Sequence, residues 1–340
     1  FFYVLDAADG ELISATPFTA QNWTTGEFDE NGRPELVEEA VDLALYAVVP
    51  GPTGAHNWHP MAFNPDTGLV YIPVNEIPFF YDKTRNVEDS KSFWNIGYDA
   101  AAGWPVEYPA GTLDAVRDLD GGSLLAWDPV KAEPRWAVPF ALPLNGGVLS
   151  TQAGLVFQGN KFGEFVAYDA ETGERLWADK LVGNAAAAPM TYEIDGEQYL
   201  SVLSGWGSVS SLIAGFTYGE AKSKEPARVI TFKLGGDGDM PAALVDNVVR
   251  TPQSPMFGEP DQHQLGMQRY AESCHFCHGA FAVGGGVVPD LRWSALAGNE
   301  QAWDLVVREG ALEKQGMVSF AGRLSKEDTD AIRAYVVQQA

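Results

Sequence analysis

Cysteine is nearly absent from this chain, with two residues among 340, and they lie three positions apart at Cys274 and Cys277. A zinc site would want two more Cys, His or acidic ligands at finger-like spacing, and no further cysteine exists. A βαβ pattern, the usual setting of a redox Cys-x-x-Cys pair, is also missing. Positive charge is scarce: 22 Lys and Arg stand against 46 Asp and Glu, a net of −24. Such a surface repels nucleic acid and anionic membranes and favours basic protein partners, or serves solubility alone. No apolar run reaches the length of about 18 residues that a membrane span needs. There is no initiator Met and no signal-peptide pattern. The chain opens on Phe1-Phe2-Tyr3-Val4-Leu5-Asp6, which reads as the middle of a strand, so residues upstream of Phe1 are expected to be missing.

What is present centres on Cys274-His275-Phe276-Cys277-His278. A Cys-x-x-Cys-His run is the attachment site of a c-type haem. The two thiols add to the porphyrin vinyl groups, and a short helical turn places the next imidazole under the iron. His278 is then the fifth iron ligand. A sixth ligand from the protein is expected to be Met, because a thioether favours ferrous iron. Met317, in a loop 39 residues beyond His278, is the preferred candidate over Met267, His263 and His275. The carbonyl of Pro289 is expected to accept the proximal imidazole N–H and fix the ring.

Two domains are natural at this length. From Phe1 to about Gly236 short strands alternate with turns, and one unit recurs: an apolar strand, Asp, a small turn with Gly or Pro, then a strand that reaches an aromatic or apolar residue. The fullest copy runs from Phe165 through Asp169 and Gly173 to Trp177; others start at Phe2, Leu124 and Met61. Asp accepts backbone N–H groups, Gly takes positive φ, and Trp packs between neighbouring sheets. Such repetition points to a β-propeller over residues 1–236. A Gly-, Pro-, Asp- and Ser-rich stretch reads as a linker over 237–258. Residues 259–340 read as an all-α cytochrome c domain. Within it Glu300 to Glu309 buries Trp303, Val306 and Val307 and stops at Gly310. Ser325 and Asp328 make a capping box for a last helix that buries Ile332, Tyr335 and Val336.

Taken together, Phe1 to Asp6, His56-Asn57-Trp58-His59-Pro60, Asn145-Gly146-Gly147-Val148, Ala167 to Trp177, Gly205-Trp206-Gly207 and the haem domain resemble the C-terminal part of a quinohaemoprotein alcohol dehydrogenase. In that family an eight-bladed pyrroloquinoline quinone (PQQ) propeller is fused to a cytochrome c domain, and about half of the blades would be present here. The resemblance implies that Asn57 and Trp58 contact PQQ, with Trp206 in its vicinity. Apart from the resemblance, Trp58 reads as propeller core and Asn57 as a turn residue. The resemblance implies that the family's catalytic Asp, calcium ligands and a PQQ-contacting Lys lie upstream of the stretch matching Phe1, so no catalytic residue is assigned here. The implied mechanism has that Asp as general base on the alcohol while calcium polarises the quinone. PQQ then takes two electrons, and haem c passes them on singly. Residues 75–111, rich in aromatics and Pro, are expected to shape substrate choice. A bacterial periplasmic location follows from covalent haem attachment. The acceptor is expected to be a basic cytochrome or cupredoxin, or a membrane quinone. The alternative is an electron-carrying cytochrome c tethered to a non-catalytic propeller, and the chain by itself is expected to be inactive on alcohols.

Overall fold

The computed structural model describes residues 1–38, 45–82, 121–205, 226–240, 250–284 and 288–340. Its described residues fall into two compact units, a β unit up to residue 240 and a helical unit from residue 250.

In the β unit the strands are β1 (Phe2–Leu5), β2 (Leu12–Thr16), β3 (Thr24–Phe28), β4 (Pro34–Leu36), β5 (Leu45–Val48), β6 (Ala62–Asn64), β7 (Leu69–Asn75), β8 (Phe79–Asp82) and β9 (Gly122–Asp128). They continue with β10 (Glu133–Phe140), β11 (Val148–Ser150), β12 (Leu155–Gly159), β13 (Glu164–Asp169), β14 (Arg175–Lys180), β15 (Met190–Ile194), β16 (Glu197–Ser204) and β17 (Arg228–Lys233). Two four-stranded antiparallel sheets have the orders β10-β9-β7-β6 and β11-β12-β13-β14, and a three-stranded one has β15-β16-β17. The pairs β1-β2, β3-β4 and β5-β8 complete a partial propeller, whose described sheets do not close into a ring. Every residue of β7 is buried, as suits a strand covered on both faces.

The recurring sequence unit has a physical basis in these sheets. Asp169 Oδ1 accepts the N–H groups of Glu171 and Thr172 at 3.0 and 2.9 Å, and Asp128 Oδ1 those of Val130 and Lys131 at 3.0 and 2.9 Å. Gly173 takes φ +74° at the turn's end, where Ala132 stands at φ +56° in the earlier copy. Trp136, on the outer strand β10, donates its indole N–H to the Ala170 carbonyl of the next sheet at 3.1 Å. A Cβ at Gly173 would lie 2.7 Å from that Trp136 ring, so the turn glycine also makes room for the docking Trp. Tyr71 Oη donates to the same Ala170 carbonyl at 2.9 Å. Trp177 repeats the theme against Phe232, with ring centroids 5.2 Å apart. Each Trp thus ties one sheet to the turn or strand of the next.

The helical unit holds α1 (Pro260–Ser273), α2 (His275–His278), α3 (Glu300–Val307) and α4 (Lys326–Gln338). Pro at the first helical position opens α1, where a missing N–H costs nothing. The capping box of α4 is present, Ser325 Oγ accepting from Asp328 N and Asp328 Oδ2 from Ser325 N. Trp303 and Val307 are buried and Val306 half-buried. Gly310 takes φ +72°, but one residue later than expected, since α3 ends at Val307 with Arg308 as its C-cap. Helices α1 and α4 cross at Gly266, where a Cβ would meet the Ala331 carbonyl oxygen at 2.1 Å. Around that crossing Tyr270, Trp303, Phe320, Leu324, Ile332 and Val336 form one core.

Candidate functional site

The turn from Cys274 to His278 is built by backbone geometry. The Cys274 carbonyl accepts N–H from Cys277 at 3.2 Å and from His278 at 2.9 Å, so both thiols and the imidazole leave one helical turn. The two thiols are free of any disulfide, Cys274 buried and Cys277 exposed. Burial pushes the Cys274 thiol up to about 12. His278 is buried, and its Nδ1 donates to the Pro289 carbonyl at 3.1 Å. That bond leaves the Nε2 lone pair for a metal and sets the ring's orientation. Burial, outweighing the Pro289 bond, lowers the His278 pKa and keeps the ring neutral, as a ligand must be. Tyr270 Oη donates to the Gly279 carbonyl at 2.8 Å and anchors the end of the turn.

The competing ligand candidates are placed too. His275 Nδ1 is turned back onto the Ala271 carbonyl of the preceding helix α1, and burial drops its pKa to about 4. His263 Nε2 bonds the Phe257 carbonyl at 2.7 Å. Met317 follows Gly316, at φ +95°, in the loop between α3 and α4 and packs half-buried against the core that contains Cys274. Met267 packs on the same core from α1.

In the β unit, the His56 to Pro60 segment lies just before β6. His56 Nδ1 donates to the Pro73 carbonyl at 3.1 Å, and Pro60 accepts from Val148 N at 2.9 Å. Asn57 spends one N–H on the Thr53 carbonyl at 2.9 Å, a turn-type contact that leaves its other N–H. Trp58 is 66% exposed, which overturns the reading of it as propeller core. His56 also borders a cavity of about 480 Å³ lined by Phe2, Phe18, Trp23, Met61 and Ile72. The Asn145-Gly146-Gly147 segment fits closely beside this loop: a Cβ on Gly147 would meet Pro60 at 2.6 Å, and one on Gly146 the Ala185 carbonyl oxygen at 2.3 Å. One residue of this region escaped the sequence reading. Lys161, in the β12–β13 turn, is 1% exposed, and its backbone N–H reaches Asn145 Oδ1 at 3.4 Å. Burial lowers its ammonium to about 8. His59 lies within electrostatic reach of it: burial first, then the charges of His56 and Lys161, lower the His59 pKa. No local signal marks a lysine in a turn as buried. Trp206, and residues 83–111 of the expected substrate loop, lie outside the described residues.

The comparisons follow this division. Residues 4–200 match the family described as glucose/ethanol/alcohol dehydrogenase, beta-propeller domain, and residues 261–336 match cytochrome C oxidase, cbb3-type, subunit III. The chain belongs to the quinohaemoprotein alcohol dehydrogenase family. It is 40% identical to quinohemoprotein alcohol dehydrogenase ADH IIB of Pseudomonas putida, over all of this chain and 48% of that relative. The solved structure of ADHIIG from Pseudomonas putida HK5 superposes with a TM-score of 0.81 at 38% identity, covering 100% of this chain and 50% of that one. The quinohemoprotein alcohol dehydrogenase of Comamonas testosteroni gives 0.76 at 35% identity, covering 98% and 48%. The chain thus spans about half the length of the curated relatives it matches.

For a quinohaemoprotein dehydrogenase the helical site is chemically apt. Two thiols without a disulfide and a neutral imidazole fixed through one nitrogen are the donor set of haem c. The exposed Asn57 amide and Trp58 indole suit a planar quinone bearing carbonyl and carboxylate oxygens. Calcium finds no such donor set: among the described residues no three His, Cys, Asp or Glu side chains come together. No helix among the described residues is long and apolar enough to cross a membrane.

Proposed function

We propose that this chain supplies the haem c domain and the PQQ-contacting part of the propeller of a bacterial periplasmic alcohol dehydrogenase. Residues 1–236 form the propeller part, 237–258 the linker and 259–340 the cytochrome domain. The observation that carries the reading is the Cys274–His278 turn with His278 fixed on Pro289, in a chain whose β unit is a PQQ-family propeller. When bound, PQQ supplies two-electron oxidation of the alcohol and haem c supplies one-electron transfer to an external acceptor.

The chain's own residues act by holding and orienting. Cys274 and Cys277 tether haem covalently, and His278 presents Nε2 while its bond to Pro289 keeps the tautomer and raises ligand basicity. Met317 would offer its thioether to the haem iron, from a loop seated on the core by its half-buried side chain. Asn57 and Trp58 would hold PQQ from the loop before β6, and the resemblance assigns Trp206 a further contact. The general base and calcium ligands match no residue of this chain, so the 340 residues alone do not oxidise alcohols. The acidic surface fits a basic soluble cytochrome or cupredoxin as acceptor, and a membrane quinone is the other candidate. A PQQ- and calcium-loaded full-length protein should oxidise primary alcohols and reduce an artificial acceptor. Failure to do so with haem intact would favour an electron carrier on a non-catalytic propeller. Met317→Ala should abolish the methionine-to-iron charge-transfer band, and an unchanged band removes Met317 as ligand.

A further inference from the structure

Just past the Pro289 carbonyl that fixes His278, the chain makes a single helical turn at Leu291–Trp293. Asp290 caps it: its Oδ1 accepts the Arg292 N–H at 3.2 Å, and its carbonyl accepts that of Trp293 at 3.3 Å. Three contacts pin the segment. Pro289 accepts from His278, Leu291 packs on the core that contains Cys274, and a Cβ on Gly284 would stand 2.9 Å from the Asp290 backbone. Arg292 and Trp293 are therefore carried on the same short, well-held segment as the carbonyl that sets the imidazole.

Two donors on this turn are left over. Arg292 gives one edge of its guanidinium to Asp290, Nε to Oδ1 at 3.0 Å and Nη2 to Oδ2 at 2.8 Å. Both side chains are mostly buried, 14% and 19% exposed, and the two parallel bonds hold the guanidinium plane fixed. The remaining nitrogen, Nη1, has no partner among the described residues, so the end of the fork stays open to a second acceptor. The Trp293 ring centroid lies 5.1 Å from the Arg292 guanidinium carbon, and its indole N–H is buried without an acceptor among the described residues. A buried indole N–H ordinarily finds one. A fixed cation and a neutral donor side by side suit an anion with oxygen acceptors.

We propose that Arg292 and Trp293 bind a propionate of haem c, a reading that rests on the haem assignment above. The thiols of Cys274 and Cys277 use the two vinyl groups of the porphyrin, so the propionates are its only ionised groups. A carboxylate taken out of water needs a paired cation and hydrogen bonds. Arg292 supplies the cation through the open end of its fork, and Trp293 supplies the second N–H. Asp290 acts on the propionate only through Arg292, as a positioning residue that keeps the guanidinium from turning away. Lysine at 292 keeps the charge but loses the fork, so it restores the contact only in part.

The test uses the full-length, haem-loaded protein as wild type, Arg292→Gln, Arg292→Lys and Trp293→Phe. Resonance Raman spectra report the propionate bending bands, and spectroelectrochemistry reports the ratio of reduced to oxidised haem at a fixed applied potential. Arg292→Gln should shift a propionate band, and Arg292→Lys should return it part of the way. Trp293→Phe, which removes one N–H and keeps an aromatic ring, should shift it as well. Losing one positive charge across a porphyrin radius should also lower the reduced-to-oxidised ratio about tenfold, at an effective dielectric of about 20. That fall alone would follow from any nearby charge, so the bands decide. Propionate bands unchanged in both Arg292→Gln and Trp293→Phe overturn the proposal, whatever the ratio does. Should Arg292→Gln fail to keep its haem, Trp293→Phe decides alone, since it alters no charge. A wild type without the absorption of a covalently bound haem c removes the haem assignment and this site with it. A wild type that shows it leaves the variants to judge the site alone.

Discussion

Gly266→Ala probes the crossing that holds α1, the helix leading into the Cys274–His278 turn. An added Cβ would sit 2.1 Å from the Ala331 carbonyl oxygen, 2.6 Å from the Ala331 carbonyl carbon and 2.8 Å from Tyr335 Cβ. Two of these neighbours are backbone, so no side chain can rotate away, and α1 and α4 must part. Overpacking costs about 1–3 kcal/mol, and a backbone obstacle places this case at the upper end. Alanine's better helix propensity returns about 1 kcal/mol, leaving roughly 2 kcal/mol of net destabilisation. Because the chain has two units, a single global unfolding energy is ill-defined and a local observable is needed. Hydrogen exchange by mass spectrometry supplies it: amides of α1 and α4 should exchange roughly 30-fold faster, while β7 and β13 serve as internal controls. Slower exchange in α1, the effect of propensity alone, would refute the close crossing.

Other perturbations address separate contacts. Arg269 bridges Glu272 and Asp328 at 2.7 and 2.8 Å, both carboxylates nearly or fully buried. Arg269→Met removes the guanidinium between two buried carboxylates and leaves Glu272 to Gln268 and Asp328 to Ser325, so thermal denaturation of the helical unit should show a loss of about 3 kcal/mol; a loss below about 1 kcal/mol would mean water already reaches them. Ala132, at φ +56°, occupies the turn position that Gly173 fills at φ +74°. Ala132→Gly should therefore stabilise the β unit by about 1 kcal/mol in denaturant titration, and destabilisation would show that the turn carries no strain. Lys161 gives a pH dependence: its folded pKa of about 8 lies below the ordinary 10.5, so the unfolded chain holds more protons between those values. Stability should rise as pH climbs through that window, by up to about 3 kcal/mol, with the full penalty present below it. Lys161→Met should flatten that rise in melts between about pH 8 and 10, whereas parallel curves for the two proteins would contradict the burial.

Much of this organisation was written locally. The turns at Asp128 and Asp169, and the Trp136 that docks on the next turn, follow from residues a few positions apart. The haem turn is local as well, and even the Pro289 carbonyl could be expected from a segment eleven residues beyond His278. Long-range pairings were harder. The register of β5 on β8 joins strands with the whole loop before β6 between them, and no short pattern announces it. Trp58 misled a reading by hydrophobicity because its side chain stays in solvent. Lys161 misled in the opposite sense: its turn is tied to Asn145 and to the 181–185 segment, pairings that only the folded sheet brings together. Met317 and Met267 share one core, so packing alone does not rank them, and loop placement carries the choice.

The most direct measurement is anaerobic stopped-flow spectroscopy of the full-length protein, following the haem absorption bands after mixing with a primary alcohol. With PQQ and calcium bound, the haem on Cys274 and Cys277 should become reduced, and without PQQ it should remain oxidised. Haem that stays oxidised while an artificial acceptor is reduced would place the electron exit elsewhere and contradict the role assigned to the Cys274–His278 turn.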